Sequence, residues 1–435
     1  MPTATVPNAG TFDLEVDTGY VVDGFTLDSA IRGVLDDPNY VLDGTTNYAS
    51  ITDGVLSVTI NRGRRDPADQ FPSGSMTFVL DDTKADGVFN PFDTGSEYYD
   101  DITNYPGLAP NRAVRLTRYD VANNPERLFV GWIVNYDYQF QLDGVNTVTV
   151  YCADGLYRLA NTFLTEHNPT KELTGARINA ILDRAEVDYP GGAARDIATG
   201  TVELGGGSQY QIREGTNVKS YFEQIRQTAE RGRIFIDREG VLVSQDRLGN
   251  TLSAPSVVFS DSTNPAQARY QELGITFKAE DLVNRVAVTP AGGTQQIADD
   301  TASQDTYFVK SLYIEGSLLH DNTAALDLAT YLLYPEPEPR YNQVSTFYGR
   351  LSTTLRDACA IIDIGDTVEV NKKILVNGVP TDRSQELSVE GLEHRISFSA
   401  GMTSRYYTAP TNLVFALILD DAVFGVLDAD NALGS

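Results

Sequence analysis

Residues 128–142, LFVGWIVNYDYQFQL, followed by Asp143-Gly144 and then by VNTVTVYC at 145–152, decide how this chain folds. Both runs are rich in β-branched and aromatic residues, which fit a pleated, half-buried surface. The two-residue connector carries a glycine, which accepts the positive φ that a tight turn demands. The stretch therefore predicts a β-hairpin. Upstream, Val58 and Ile60 alternate with Ser57 and Thr59; after a loop, Met76, Phe78 and Leu80 alternate with Thr77 and Val79. Period-2 runs of this kind are half-buried strands, and Arg112–Tyr119 adds another. Several short strands with turn signals and no helix predict an antiparallel barrel or sandwich over 45–157. The segment before it, 1–44, is rich in Asp, Gly and Asn and reads as an N-terminal arm with one short strand candidate, Gly19 to Val22.

Downstream the pattern changes. Thr174 is placed to cap a helix carrying Ile178, Ile181, Leu182 and Ala185 on one face and stopping by Pro190. Val218, Tyr221, Phe222, Ile225 and Ala229 follow helical spacing, and Arg231-Gly232 supplies a C-terminal charge and a glycine for a left-handed turn. A hairpin about Arg238-Glu239-Gly240 completes a small α+β domain at 158–250. Strands resume at Leu273–Lys278 and Arg285–Thr289, with a helix at 322–334 that ends where Pro335, Pro337 and Pro339 forbid it. Ser345–Leu351, Thr367–Val370, a hairpin turn at Asn377-Gly378 and Gln385–Phe398 make a second β-rich domain over 251–409, leaving a C-terminal arm at 410–435. The expected class is mainly β with α+β insertions: two antiparallel barrel-like domains separated by a small α+β domain, with extended termini.

The 435 residues carry 60 acidic against 33 basic side chains, a formal charge of −27. That balance opposes tight nucleic-acid binding, which needs cations on the phosphates, and adsorption to anionic lipid. The N-terminus, MPTATV, shows neither a basic nor an apolar signal region, and the apolar run Leu413–Leu419 is far too short to cross a bilayer. The expectation is a protein made and assembled inside a cell. Cys152 and Cys359 are the two cysteines and read as buried thiols. His167, His320 and His394 are too scattered for one local motif.

Signatures of chemistry are weak. Asp82 to Asp93 has Asp86-Gly87 where a calcium loop would, but Lys84 stands at a ligand position. Asp428-Ala-Asp430 resembles a metal-binding DxD pair, yet little chain follows it to enclose a site. Gly205-Gly206-Gly207 lacks the Lys-Ser/Thr of a phosphate cradle and reads as a flexible connector. Arg62, Arg64 and Arg65 form the densest basic cluster, either a solvated loop or a contact to an acidic partner; Trp132 reads as core. No catalytic, cofactor-binding or metal-binding residue is assigned, and the chain is read as non-enzymatic. One internal repeat joins the ends: Leu27–Asn39 recurs at Leu419–Asn431, with Gly33-Val34-Leu35-Asp36 matched by Gly425-Val426-Leu427-Asp428. Each copy is a short apolar segment that could pack on a neighbouring surface.

Several stretches in order resemble one family. They are Val58–Arg64, Gly74–Asp81, Gly87–Pro91, Pro110–Leu116 and Leu128–Ile133; then Arg195–Ile197, Arg233–Gly240 and Val283–Val286 through Gly293; last Ile364–Val368 and Val389–His394. This succession is similar to the minor tail, or tail-tip (baseplate) hub, proteins of siphophages infecting actinobacteria. The resemblance implies barrel-like domains interrupted by α+β insertions, and a homotrimer enclosing a channel at the virion tail tip. Its partners would be tail-tube and distal tail proteins, tape-measure protein, and other minor tail or receptor-binding proteins. A glycan-binding tail protein, whose tyrosine-rich loops hold host cell wall, is the competing reading; a depolymerase is a third.

Overall fold

The structure is a computed structural model, and it describes residues 3–19, 24–25, 27, 33, 47–82, 87–100, 103–142, 144–250 and 254–410. The hairpin that opened the reading is present: β7 (Pro125–Gln139) pairs antiparallel with β8 (Thr147–Ala153), Val150 facing Tyr136, with a bulge at Tyr151/Cys152. Asp143 of its connector lies outside the described residues. Around it stand β4 (Val55–Gly63), β5 (Ser75–Asp81) and β6 (Ala113–Tyr119), all antiparallel neighbours.

Residues 4–17, expected within an arm, instead form β1 (Ala4–Val6) and β2 (Gly10–Asp17). β2 pairs with β6 along its length, and Phe12, Leu14 and Val16 enter the core. A short β3 (Tyr48–Ser50) pairs with β2, so the bent run 48–63 touches β2 at one end and β5 at the other. The strand candidate at Gly19–Val22 lies outside the described residues beyond Gly19, as do both terminal repeats apart from Leu27 and Gly33.

The second set of strands comprises β12 (Val257–Ser260), β13 (Ala268–Arg269), β14 (Glu272–Thr276), β18 (Arg340–Phe347), β19 (Thr367–Val376), β20 (Val379–Ser397) and β21 (Gly401–Ala409). The 19-residue β20 organises it. Its first half pairs with β19 across a turn in which Asn377 and Gly378 take φ of +51° and +80°, as a two-residue hairpin requires. Its second half pairs with β21 on one edge and with β4 on the other, Gly391 facing Gly63 through Ser397 facing Ser57. That last pairing fuses both sets into one 15-stranded sheet, whose strand order has open ends at β1 and β13. The fold is thus mainly β with α+β parts, as expected. One hydrophobic core runs through both sets, from Phe12, Phe78 and Phe129 to Phe259, Val344 and Tyr406. Burying each such side chain contributes roughly 1.5–3 kcal/mol.

A second core belongs to the insertions. α1 (Gly155–Ala160), α2 (Thr174–Leu182) and α3 (Val218–Ile225) pack with the hairpin β10 (Arg233–Ile236)–β11 (Leu242–Gln245), and β9 (Arg195–Ile197) joins β11 in parallel. The same core takes in β15 (Arg285–Pro290), β16 (Gln296–Asp299), β17 (Ser311–Ser317) and α4 (Asn322–Tyr331), so the helix expected beside the second set of strands packs here instead. α3 forms because Val218, Tyr221, Phe222 and Ile225 share a buried face and Asn217 caps Ser220 N–H. After Ile225 the chain widens into a π turn over Arg226–Glu230, and Arg231 itself adopts φ +55° rather than Gly232. Gly232 is needed for room, since a Cβ there would sit 1.7 Å from Gln245 O. Thr174 is not a cap: it is the first helical residue, and its hydroxyl donates to Glu230 at 2.7 Å.

Candidate functional site

The basic cluster singled out in the sequence sits where β4, β20 and the β10–β11 hairpin converge. Gly63 allows it: its φ is +76°, and a Cβ there would approach Glu390 O to 2.3 Å, so only glycine lets the two strands come this close. Opposite, β20 bulges between Val389 and Gly391, and Glu390 turns its side chain inward. Arg64 reaches Glu390 Oε2 at 2.6 Å through Nη2, and Arg233 reaches Oε1 at 2.6 Å through its own Nη2. Arg233 also donates to Ser388 Oγ at 2.8 Å and to Gln245 Oε1 at 3.1 Å. Burial would raise the Glu390 carboxyl, but Arg233 and Arg64 outweigh it and hold it down at about 2. Arg62 donates to Asp363 Oδ1 at 2.7 Å, while Asp363 Oδ2 accepts from Arg238 N–H at 2.9 Å. Arg64 also lies over the Phe71 ring at 4.6 Å, and Phe71 joins Phe235, Val243 and Ile364 in a small cluster of its own.

Arg62 and Arg64 are therefore 4% and 9% exposed, neither a solvated loop nor a surface for a partner. They clamp the insertion to the sheet. Arg65 lies over Tyr407 at 5.5 Å. Sequence reasoning missed the hub of this clamp, Glu390; the available signal was a carboxylate between Val389 and Gly391 within the strand run Leu387–Leu392. A further buried arginine, Arg118 on β6, binds Glu126 and also Asp357 on helix α5 (Thr353–Ala360), tying the first set of strands to that helix.

A cleft of about 400 Å³ opens in the insertions between Lys171, Gly206–Tyr210, the turn Pro290–Gly293 and His320–Asn322. The glycine triplet is not a flexible connector. A Cβ on Gly206 would meet Lys171 N at 2.3 Å, and Gly207 N–H donates to Pro169 O at 2.7 Å, so the run is a tightly built wall. Tyr210 donates to Leu319 O at 2.9 Å, Asp321 caps α4, and Asn322 Oδ1 accepts from Thr294 N–H. Lys171, Gln209 and His320 complete the polar half of the lining, opposite Pro290 and Ala291, and Lys171 pairs with Glu203 at 2.8 Å.

The remaining singled-out residues are dispersed. Asp82 accepts from Phe89 N–H at 2.9 Å and from the Tyr138 hydroxyl, closing a loop of which residues 83–86 lie outside the described part. Trp132, expected in the core, is half-buried, and Gly131 beside it lies mid-strand, where a Cβ would meet Ala153 O at 2.4 Å. Cys152 and Cys359 are free and buried, and burial pushes both thiols up, Cys359 to about 12. His394 is buried against Ser404 Oγ at 2.7 Å; burial, then Arg62 and Arg118, lower it to about 3, so it stays neutral. Asp154, which accepts N–H bonds from Gly74 and Leu156, is raised by burial to about 7. Among the described residues no group of three or more His, Cys, Asp or Glu is placed to hold a metal ion, and no helix is long and apolar enough to cross a membrane. Asp428 and Asp430 lie outside them.

The architecture is one found in solved structures of tail proteins. A tail protein from Neisseria meningitidis superposes with a TM-score of 0.55 at 11% identity, covering 92% of this chain and 98% of that one. The 43 kDa tail protein of prophage MuSo2 from Shewanella oneidensis gives 0.52 at 12% identity, covering 84% and 95%. At such identities the likeness establishes a shared fold. No protein-family model and no curated protein sequence matches the chain.

Proposed function

We propose that this chain is a structural, non-enzymatic subunit of a phage tail tip or baseplate hub, forming a ring around the tail channel and joining the tail tube to host-recognition parts. What supports this reading above all is that the fold likeness extends over nearly the whole of both chains, 92% and 98%, rather than over one shared domain. The fused sheet and its arginine clamps suit such a role, because they set the α+β insertions in fixed positions on a rigid frame. The ring is a homotrimer of the siphophage type; the fused sheet, β1 and β2 included, builds its wall, and the α+β insertions, whose core takes in β15 to β17 and α4, are appended to it. The repeats at 27–39 and 419–431 dock on adjacent subunits. Tail-tube, distal tail, tape-measure and receptor-binding proteins are the neighbours, and the location is the virion. Cyclic closure repeats one heterologous interface without leaving an open end. Light scattering of concentrated protein, with imaging of labelled particles, tests this: three copies per tail tip are expected, and a single copy per particle refutes it.

The cleft beside Lys171, Gln209 and His320 favours a second reading, a tail protein that holds host cell-wall glycan. A glycan array separates the two readings, since a purely structural hub retains no sugar.

A further inference from the structure

The cleft beside Lys171, Gln209 and His320 differs in size from two other hollows of the fold. It holds about 400 Å³, against about 10 Å³ beside Thr174 and Glu230 and about 10 Å³ beside Val88 and Tyr98. The smaller two have room for about one water. The cleft falls within the ~300–1,000 Å³ typical of small-molecule sites.

Its walls come from stretches far apart in the chain, and they are tied together without a ligand. Gly205 N–H donates to Leu318 O at 2.9 Å and His320 N–H to Glu203 O at 3.1 Å, about a bridge between Leu204 and Leu319. The buried Tyr210 hydroxyl stands 2.9 Å from Leu319 O and 3.1 Å from Ala291 O. It thus holds the turn after β15 against the segment that leads into α4. Asn322 is fixed from both ends of its amide: Oδ1 accepts from Thr294 N–H at 3.0 Å, and Nδ2 donates to Thr294 Oγ1 at 2.9 Å. Gly292 takes φ +73°, and the Gln209 amide packs 2.8 Å from where its Cβ would stand. A site built this way loses little freedom when it binds.

What the walls leave for a ligand is polar without a spare cation. Lys171 Nζ is engaged by Glu203 at 2.8 Å, and Asp321 Oδ1 accepts from Ala324 N–H at 2.9 Å as the cap of α4. The Tyr210 hydroxyl and the Asn322 amide are taken up by the walls themselves. Gln209 and His320 remain, since neither side chain hydrogen-bonds to another described residue. An amide offers a donor and an acceptor side by side, and an imidazole adds one more group of either kind. Together they suit neighbouring hydroxyls. Pro290 and Ala291 present C–H surface, which suits the face of a saturated ring. A phosphate or carboxylate would have to displace Glu203 from Lys171 and would meet the like charge of Asp321. Resting on the reading of this cleft as a glycan site, we propose that it takes an uncharged pyranose. Gln209 and His320 hold the hydroxyl edge, and Pro290 and Ala291 carry the C–H face.

Saturation-transfer NMR titrations of the full chain test this. The probes are the methyl glycosides of glucose, galactose and N-acetylglucosamine, with methyl glucuronide as the acidic counterpart. At least one neutral glycoside is expected to bind, and the glucuronide to bind at least tenfold more weakly. Gln209→Ala and His320→Ala are each expected to weaken the neutral sugar about tenfold, the worth of one lost hydrogen bond, with thermal melts unchanged. Tighter binding of the glucuronide, or neutral binding that neither variant alters, overturns the proposal and leaves the glycan reading standing. If none of the four sugars binds, the proposal falls, and a glycan array that also stays blank takes the underlying reading with it.

Discussion

Glu390 is the residue on which the clamp depends, because among the described residues it is the carboxylate that pairs with both Arg64 and Arg233, and all three side chains are buried. Glu390→Ala leaves two buried guanidinium groups without their carboxylate, a change that costs about 3–5 kcal/mol. A denaturant titration at neutral pH is expected to show that loss; a change under about 1 kcal/mol would contradict the network. Two of the buried carboxylates, Glu390 and Asp154, give opposite pH responses. Glu390 is held at about 2, below its ordinary value near 4.5, so its contribution is complete above about 4.5 and fades as pH falls toward 2. Asp154 is raised to about 7, so the fold favours its neutral form: its contribution is complete below about 4 and is lost as pH rises through about 7. Asp154→Asn is therefore expected to flatten the decline in stability between pH 4 and 7 measured by thermal melts, and an unaltered slope would show that Asp154 does not titrate there.

At the scale of elements, the β4–β20 pairing decides the architecture, and Gly63 is where it is most exposed to mutation. Gly63→Val adds a Cβ against Glu390 O and forces a β-branched residue to φ +76°. A loss of more than about 2 kcal/mol is expected, with faster hydrogen exchange confined at first to 57–63 and 391–397; wild-type exchange there would mean the strands can part without consequence. This pairing was also the element least legible in the sequence. β7–β8 and β19–β20 announce themselves through local alternation; the two-residue glycine turn expected of both joins only β19 to β20, while β7 and β8 are linked by the longer run 140–146. Nothing local couples Gly63 to Gly391. β2 is an intermediate case. Phe12, Leu14 and Val16 alternate correctly, but Asp13 and Glu15 between them resemble loop residues until their partners are seen: Ser50 donates to Asp13 at 2.6 Å and Arg115 to Glu15 at 2.6 Å. The clamp was half legible for the same reason, with three arginines conspicuous within four residues and the carboxylates hundreds of positions away. The repeats Leu27–Asn39 and Leu419–Asn431 were plain in sequence, and their placement falls outside the described residues.

For the molecule as a whole, the charge of −27 bears on what passes through the proposed ring. Each phosphate neutralised by Lys or Arg adds affinity and a salt dependence. A channel that lets DNA slide should present few such contacts. No duplex binding is expected at physiological salt in a filter or anisotropy assay, and channel-facing positions in the assembled ring should carry more Asp and Glu than Lys and Arg. Micromolar binding that weakens steeply with added salt would oppose this. The fusion of the two sets of strands through β20 also has a consequence in time. Arg64 and Glu390 are separated by 326 positions. At about 5–20 residues per second, the ribosome takes roughly 15–65 s to deliver β20 after β4 has emerged. Throughout that interval the β4 edge has no partner, and Arg62 and Arg64 have no carboxylates to bury against. The nascent N-terminal half is therefore a half-finished sheet with one sticky side, which stays open until β20 has been made.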